Sequence, residues 1–282
     1  MLINNLFQVR HYKSDFFTDN QLNKKINITL FYLLSLLLIS PENYLSFSNY
    51  PAGLYCPAGV FLFFNEPGIF SKEIIFYLSL LWRLSAFFCA FDFLFSFFSK
   101  VHFLILFLFF SISNNYGWQT HSTMPIVLVS LVLAFETKNI TFLIRFIFCS
   151  VFFTAGLSKF RNSGIQWALS ESFQNMLIRS EIYYHDTFVF IHGLNLNRIL
   201  LKNEIVAKCA AVISFCLEIC APAALFSKKL SGFVVVSLFL MQILIYFTIF
   251  VNFQYYILLY IFWIDWDRLL KFIFTFKPRR IF

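Results

Sequence analysis

The chain has 282 residues, of which 60% are hydrophobic and only 13% are charged, and its mean hydropathy is +0.74. Soluble domains are closer to half apolar and a quarter charged, so this composition excludes an ordinary soluble domain. The apolar residues stand in long runs, which indicate membrane-spanning helices rather than the short alternating segments of a barrel. We therefore predict an all-α fold, a polytopic transmembrane helical bundle.

The N-terminal segment is polar and basic, and the first long apolar run begins at Ile26. No small-residue cleavage site is evident after that run, so we interpret it as a retained helix rather than a signal peptide. Hydropathy along the whole chain predicts about eight spans, of which this run is the first: 26–40, 73–98, 101–113, 122–136, 140–158, 205–227, 230–250 and 253–270.

Two other segments are apolar or amphipathic without being spans. The run from Gly53 to Phe64 contains Pro57 and Gly59 and is too short to cross a bilayer, which predicts a re-entrant or interfacial piece. Ser163 to Ile178 carries apolar side chains at helical spacing, which predicts an amphipathic helix on the membrane surface. The six cysteines form no CxxC pair, so we expect free thiols and no metal site.

Lysine and arginine are distributed unequally between the two sides that these spans define, with 13 on one side and 6 on the other. The positive-inside rule then predicts a multi-pass protein of the cell membrane with both termini in the cytoplasm. In this arrangement residues 1–25 form a cytoplasmic segment, 26–270 the transmembrane domain with an outer loop at 159–204, and 271–282 a basic cytoplasmic tail. The net charge of +8 needs no nucleic acid, because topology and attraction to membrane lipids account for it.

Some charged residues fall deep inside the predicted spans, and those that we single out are Arg83, Asp92, Arg145 and Glu218. Each charge costs at least about 2.5 kcal/mol on insertion scales, so such residues generally face a partner or a cavity. The spans place Arg83 near the middle of the membrane and the other three in its cytoplasmic half. One interpretation is an intramembrane charge network, with Arg145 or else Arg83 as the partner of Glu218. The other is a proton or substrate pathway.

The predicted outer face collects a second polar set. His121 stands at the outer end of the fourth span, Lys159 closes the fifth span at the same level, and Trp167 follows on the surface helix. Taken singly, each has a simpler explanation, because a histidine at a span end is usually an interfacial anchor and a terminal lysine usually snorkels.

Four segments occur in an order that a known family shares: "PAGLYCPAGVFLFFNEP" (51–67), "NNYGWQTHS" (114–122), "FFTAGLSKF" (152–160) and "LEICAPAALF" (217–226). With Trp167 after the third, they make roughly residues 26 to 265 resemble the membrane core of vitamin K-dependent gamma-carboxylases. They equally resemble the related bacterial HTTM (horizontally transferred transmembrane domain) proteins. The transmembrane domain at 26–270 is therefore expected to be HTTM-like.

The resemblance implies specific roles. Lys159 matches the lysine that acts as base in the oxygenation of reduced vitamin K, and His121 matches a histidine thought to assist it. Asn115 and Trp167 would belong to the substrate pocket, and a reduced quinone would be the cofactor if the resemblance extends to the chemistry. A lysine at a dehydrated membrane face loses its charge more readily than one in water. We therefore expect Lys159 to face a pocket beside His121, with Trp167 above it.

Two classes of function follow from these expectations. The carboxylases continue into a large lumenal domain that holds their protein substrate, whereas short HTTM proteins of the SdpB type, associated with maturation of secreted antimicrobial peptides, are nearer in length. The first class is a membrane enzyme, linked to a quinol and acting through Lys159 and His121. The second is a non-catalytic membrane protein that supports maturation, export or immunity of a secreted peptide partner.

Overall fold

A computed structural model describes residues 21–39, 71–115, 123–135, 138–164, 166–169, 173–182, 196–249, 251 and 253–275. The regular elements in these ranges are all helical, so the predicted all-α fold is confirmed. The α-helices are α1 Gln21–Leu38, α2 Lys72–Ala90, α3 Phe95–Asn115, α4 Met124–Phe135, α5 Ile140–Ser163, α6 Gln166–Leu169, α7 173–182, α8 Leu196–Lys202, α9 Glu204–Cys220, α10 Lys228–Ile249, α11 Ile257–Tyr260 and α12 Trp266–Thr275. Short 3-10 helices occupy Ala221–Leu225, Gln254–Tyr256 and Ile261–Trp263.

Five helices are long and apolar enough to cross a membrane: α2, α3, α5, α10 and the unit Glu204–Leu225, in which the first 3-10 helix continues α9. The predicted count of eight spans is thus reached only in part within the described ranges. Helix α4 is apolar but has 12 residues, which gives about 18 Å at 1.5 Å per residue, short of a hydrocarbon core of about 30 Å.

The main core joins the first helices of the chain to its C-terminal part. Helix α1 packs on α2, α2 on α3, α3 on α4 and α4 on α5. Phe31 of α1 and Trp82 of α2 are fully buried there, as are Leu258, Leu259 and Phe262 from the broken segment near the C-terminus. Residues 258–262 of this segment are all buried, because they pack inside the bundle against α1 and α5.

The boundary between the second and third predicted spans differs from the expectation. The sequence predicted one span over 73–98, whereas α2 ends at Ala90 and a turn at 91–94 precedes α3. Asp92 and Leu94 have positive φ values of 60° and 43° in this turn. Hydropathy missed the turn because Phe91, Phe93 and Leu94 are as apolar as the helices on either side.

The last predicted span, 253–270, is not a continuous helix. Residues 254–263 form two 3-10 helices around the short α11, and Ile264 adopts an extended conformation before α12 begins. Trp266 Nε1 donates to Asn27 Oδ1 at 2.6 Å, and the Asp267 amide donates to Asn23 Oδ1 at 2.8 Å. These bonds fasten the start of α12 to α1, with the apolar side chains of Leu269, Phe272 and Ile273 left exposed.

The predicted surface helix from Ser163 to Ile178 is divided into parts. Helix α5 runs on to Ser163 and stops at Gly164, whose φ of 58° is a conformation that glycine adopts without strain. The four-residue α6 and the separate α7 follow. Ala168 and Leu177 are buried, so these helices pack against the bundle as well as facing outward.

Candidate functional site

The site begins where α5 and α9 cross at a glycine. A Cβ placed on Gly156 would lie 3.1 Å from Glu218 Cβ and 3.0 Å from Ile219 Cδ1, closer than ordinary van der Waals contact. Small residues allow two membrane helices to approach in this way. The residue three positions after Gly156 lies on the same face of α5, because residues i and i+3 of a helix are neighbours.

That residue is Lys159, and it forms an ion pair with Glu218. The Lys159 Nζ atom donates to both carboxylate oxygens, at 2.6 Å and 2.7 Å. The Lys159 side chain is 24% exposed and that of Glu218 is 6% exposed. Charge-assisted hydrogen bonds of this length are among the strongest in proteins, and removal of either partner would leave the other charge buried and uncompensated.

The expectation that Glu218 contacts a basic side chain is therefore met, but the predicted partners were wrong. Arg145 Nε donates to the Phe262 carbonyl at 2.9 Å, and its guanidinium lies 5.1 Å from the Trp263 ring centroid. Arg83 is exposed on α2. Arg145 lies about 21 Å along α5 from Lys159, and the part of α5 that meets Glu218 is the part near Gly156.

Asp92 also falls outside the predicted intramembrane network. It sits in the turn between α2 and α3, and its carboxylate pairs with Lys25 of α1 at 3.2 Å. Both side chains are well exposed, at 61% for Asp92 and 69% for Lys25. Glu218 is thus paired with Lys159, Asp92 with Lys25, and Arg145 contacts the Phe262 carbonyl, so these residues do not meet in one network.

The predicted depths of Lys159 and Glu218 do not both hold. The spans placed Lys159 at the outer end and Glu218 in the cytoplasmic half, yet the two side chains are in direct contact. The difference arises because the last turns of α5 lie beside the last turns of α9, where Gly156 approaches Glu218 and Phe160 stacks on Phe215. Glu218 is therefore level with the end of α5 and lies about 21 Å along α9 from its first residue, Glu204.

Aromatic and aliphatic side chains surround the pair. Phe160 of α5 and Phe215 of α9 are stacked, with ring centroids 6.4 Å apart and an interplanar angle of 23°. Tyr256 lies close enough to Glu218 for an electrostatic interaction. The ring centroids of Tyr256 and Phe152 are 5.6 Å apart. Apolar surroundings lower the local dielectric constant and strengthen the attraction between the two charges.

The other predicted site residues are His121, Asn115 and Trp167. His121 lies outside the described residues, as does most of its segment, so its proximity to Lys159 stays a prediction. Asn115 ends α3 and Trp167 belongs to α6, but their side chains lie outside the description. Helix α6 does pack against both α5 and α9, which brings the backbone of Trp167 to the same end of α5 as Lys159.

Sequence reasoning missed the contact between Lys159 and Glu218. One signal for it was present, since both residues stand in segments that carry the family resemblance, "AGLSKF" and "LEICAP". A second signal was Gly156, which stands three positions before Lys159 on a helix otherwise rich in large side chains and therefore marks a place where another helix can approach closely. Neither signal fixes a register between helices 59 positions apart in the chain, because only the crossing of α5 and α9 determines which residues meet.

The arrangement can hold and transfer a proton. An amine and a carboxylate that share two short hydrogen bonds exchange a proton without moving any heavy atom, and an apolar environment reduces the advantage of the charged form. The described residues include no group of three or more His, Cys, Asp or Glu side chains suited to a metal ion. An amine and a carboxylate in direct contact can act as a base and an acid.

Comparison with known proteins adds no relative. No protein-family model matches the chain, and no curated protein and no solved structure matches it.

Proposed function

We propose that the protein is an HTTM-like membrane enzyme in which Lys159 and Glu218 remove a proton from a lipid-soluble substrate at the predicted outer face. The observation that supports this proposal most directly is the contact itself. Two segments singled out by the same family resemblance, far apart in the chain, supply the two members of one buried pair. Acid–base groups of this kind contribute about 10²-fold to 10⁴-fold to a reaction rate.

Two proton transfers at Lys159 and Glu218 would account for every proton and every charge. The ammonium of Lys159 first gives its proton to the Glu218 carboxylate along the 2.6 Å hydrogen bond, which leaves a neutral amine and a neutral acid. The amine then accepts a proton from an O–H or C–H group of the substrate. The site gains one positive charge and the substrate one negative charge, so the new ammonium stabilises the substrate anion where it forms.

A reduced quinone suits this set of side chains. Its hydroxyl needs a base, which Lys159 provides, and its flat ring needs an apolar surface, which Phe160 and Phe215 provide. When bound, a reduced quinone would supply the electrons for chemistry with oxygen. Phe160, next to Lys159 in the chain and stacked on Phe215 of α9, is 56% exposed, so an apolar molecule could arrive from the bilayer without crossing water.

The test uses the full chain in lipid nanodiscs that contain a reduced naphthoquinone, with quinone formation followed by absorbance. We expect oxidation above that of empty nanodiscs, and a loss of about 100-fold or more in Lys159→Arg and in Glu218→Gln. Arginine keeps the positive charge but does not supply a neutral amine. Lys208→Arg is the matched control, because Lys208 lies on α9 and pairs with the exposed Glu204.

Two results would reject the enzyme. One is the absence of any quinol oxidation by correctly folded wild-type protein across naphthoquinols and benzoquinols. The other is full activity in Lys159→Arg, which would remove the neutral amine from the mechanism.

One observation favours the non-catalytic alternative, a membrane protein that supports maturation, export or immunity of a secreted peptide. The ion pair between Lys159 and Glu218 joins α5 to α9, and this structural role requires no chemical step. The double exchange Lys159→Glu with Glu218→Lys keeps an ion pair but reverses its ends. If the exchanged protein folds and retains its biological effect, the pair is a clamp between helices; if it folds and loses that effect, the proton-transfer function is favoured.

A further inference from the structure

A cavity of about 410 Å³ lies at the end of the bundle opposite to Lys159 along α5. The start of α1, the turn between α2 and α3, the end of α4 and the first residue of α5 enclose it. Its size is within the range of small-molecule sites, about 300–1,000 Å³. The cavity is therefore separate from the site described above and needs its own explanation.

The lining of the cavity is amphipathic. Lys24 and Lys25 stand at its rim, together with Asp92, and the hydroxyl groups of Thr29, Ser96 and Ser99 line it further on. The inner walls are apolar, from Ile28, Phe95, Leu133 and Ile140. Cationic and hydroxyl groups at the opening and hydrocarbon inside fit a ligand with an anionic head and an apolar body.

Lys25, one of the two lysines at the rim, forms an ion pair in which another anion can replace the carboxylate. Lys25 pairs with Asp92 at 3.2 Å, and both side chains are more than half exposed. Exposed ion pairs of this type contribute little to stability and are screened by salt. A ligand phosphate can therefore replace Asp92 as the partner of Lys25 without the loss of a strong internal interaction.

The surface beside the cavity is apolar and exposed. Phe91, Phe93 and Leu94 of the adjacent turn are between 54% and 66% exposed, and positive φ values at Asp92 and Leu94 shape this turn. Large apolar side chains exposed next to lysines are typical of the boundary between acyl chains and headgroups. A ligand at the opening therefore comes from the bilayer.

We propose that this cavity binds an anionic phospholipid of the adjoining leaflet, with Lys24 and Lys25 contacting the phosphate and the glycerol end entering between Ser96 and Thr29. The positive-inside prediction puts this end of the bundle on the cytoplasmic side, where anionic lipids attract basic residues. The serine and threonine hydroxyls donate to the phosphate and ester oxygens. The apolar walls accept the first part of an acyl chain.

The experiment titrates phosphatidylglycerol or phosphatidylcholine into the purified full chain in a neutral detergent, with bound lipid counted by native mass spectrometry. We expect saturable binding of phosphatidylglycerol and weaker binding of phosphatidylcholine. The double variant Lys24→Gln/Lys25→Gln should bind phosphatidylglycerol about tenfold more weakly or worse. The matched control is Lys228→Gln/Lys229→Gln, two lysines predicted on the same side of the membrane but outside the cavity.

A second variant tests the contribution of the cavity to lipid binding independently of the contribution of the lysine charges. Ser96→Trp fills the opening and leaves every charge in place, and Ser96 is exposed, so α3 tolerates the larger side chain. We expect the saturable phosphatidylglycerol site to disappear. The proposal is overturned if Ser96→Trp binds as the wild type does, or if both lysine pairs weaken binding equally, since general surface charge would then explain it. If inorganic phosphate or glycerol phosphate displaces the lipid at equal concentration, the ligand is a free anion and the lipid assignment is wrong.

Discussion

Replacement of Gly156 by alanine is the sharpest test of the crossing between α5 and α9. The new Cβ would stand 3.0 Å from Ile219 Cδ1 and 3.1 Å from Glu218 Cβ, whereas carbon atoms pack best at about 3.5–4.0 Å. The Ile219 methyl group can rotate away. The Glu218 Cβ is attached directly to the α9 backbone, so α9 itself must shift and the hydrogen bonds from Lys159 must lengthen.

The expected free-energy change follows from two opposing effects. Overpacking of a filled interior costs about 1–3 kcal/mol, and exchange of a helical glycine for alanine contributes about 1 kcal/mol of stabilisation. Gly156→Ala should therefore lower the free energy of unfolding by between about 0 and 2 kcal/mol. Gly232→Ala on α10 is the control, because a Cβ there meets nothing within 4 Å and should stabilise by about 1 kcal/mol.

The measurement is unfolding of both variants in the same detergent, by denaturant or by heat, with quinol oxidation followed in parallel. We expect Gly156→Ala to be less stable than Gly232→Ala by about 1–3 kcal/mol and to lose activity. Equal stabilisation by the two substitutions would refute the reasoning, because it would mean that α5 and α9 do not approach closely at Gly156.

Three further outcomes are expected. Glu218→Gln should destabilise the protein by about 3 kcal/mol, and Lys159→Met added to it should recover part of this loss in a double-mutant cycle; purely additive losses would contradict the ion pair. Trp266→Phe should cost about 1–3 kcal/mol in thermal unfolding, since Asn27 would keep a buried acceptor without its donor. A cysteine introduced at Arg179 should react with an impermeant maleimide in intact cells, and labelling only after the cytoplasmic side is opened would reverse the predicted topology.

The helical membrane class could be predicted because it depends on composition and on the length of the apolar runs. Long apolar runs satisfy their backbone hydrogen bonds in a bilayer only as helices, and five helices of the required length and hydropathy are present. The predicted ends of the spans were less accurate where apolar residues continue through a turn, as at Phe91 and Phe93. The predicted final span failed for the same reason, since hydropathy does not distinguish a buried broken segment such as residues 254–263 from a continuous helix.

The sequence by itself determined which residues are chemically unusual: a lysine at the end of an apolar run, and a glutamate within another. It determined that Glu218 needs a basic partner, because an unpaired charge in an apolar environment is costly. Only the tertiary structure decided that this partner is Lys159 rather than Arg145. The physical reason is that the choice depends on the offset between two packed helices, which brings Gly156 and Lys159 of α5 against Glu218, a residue distant in the chain.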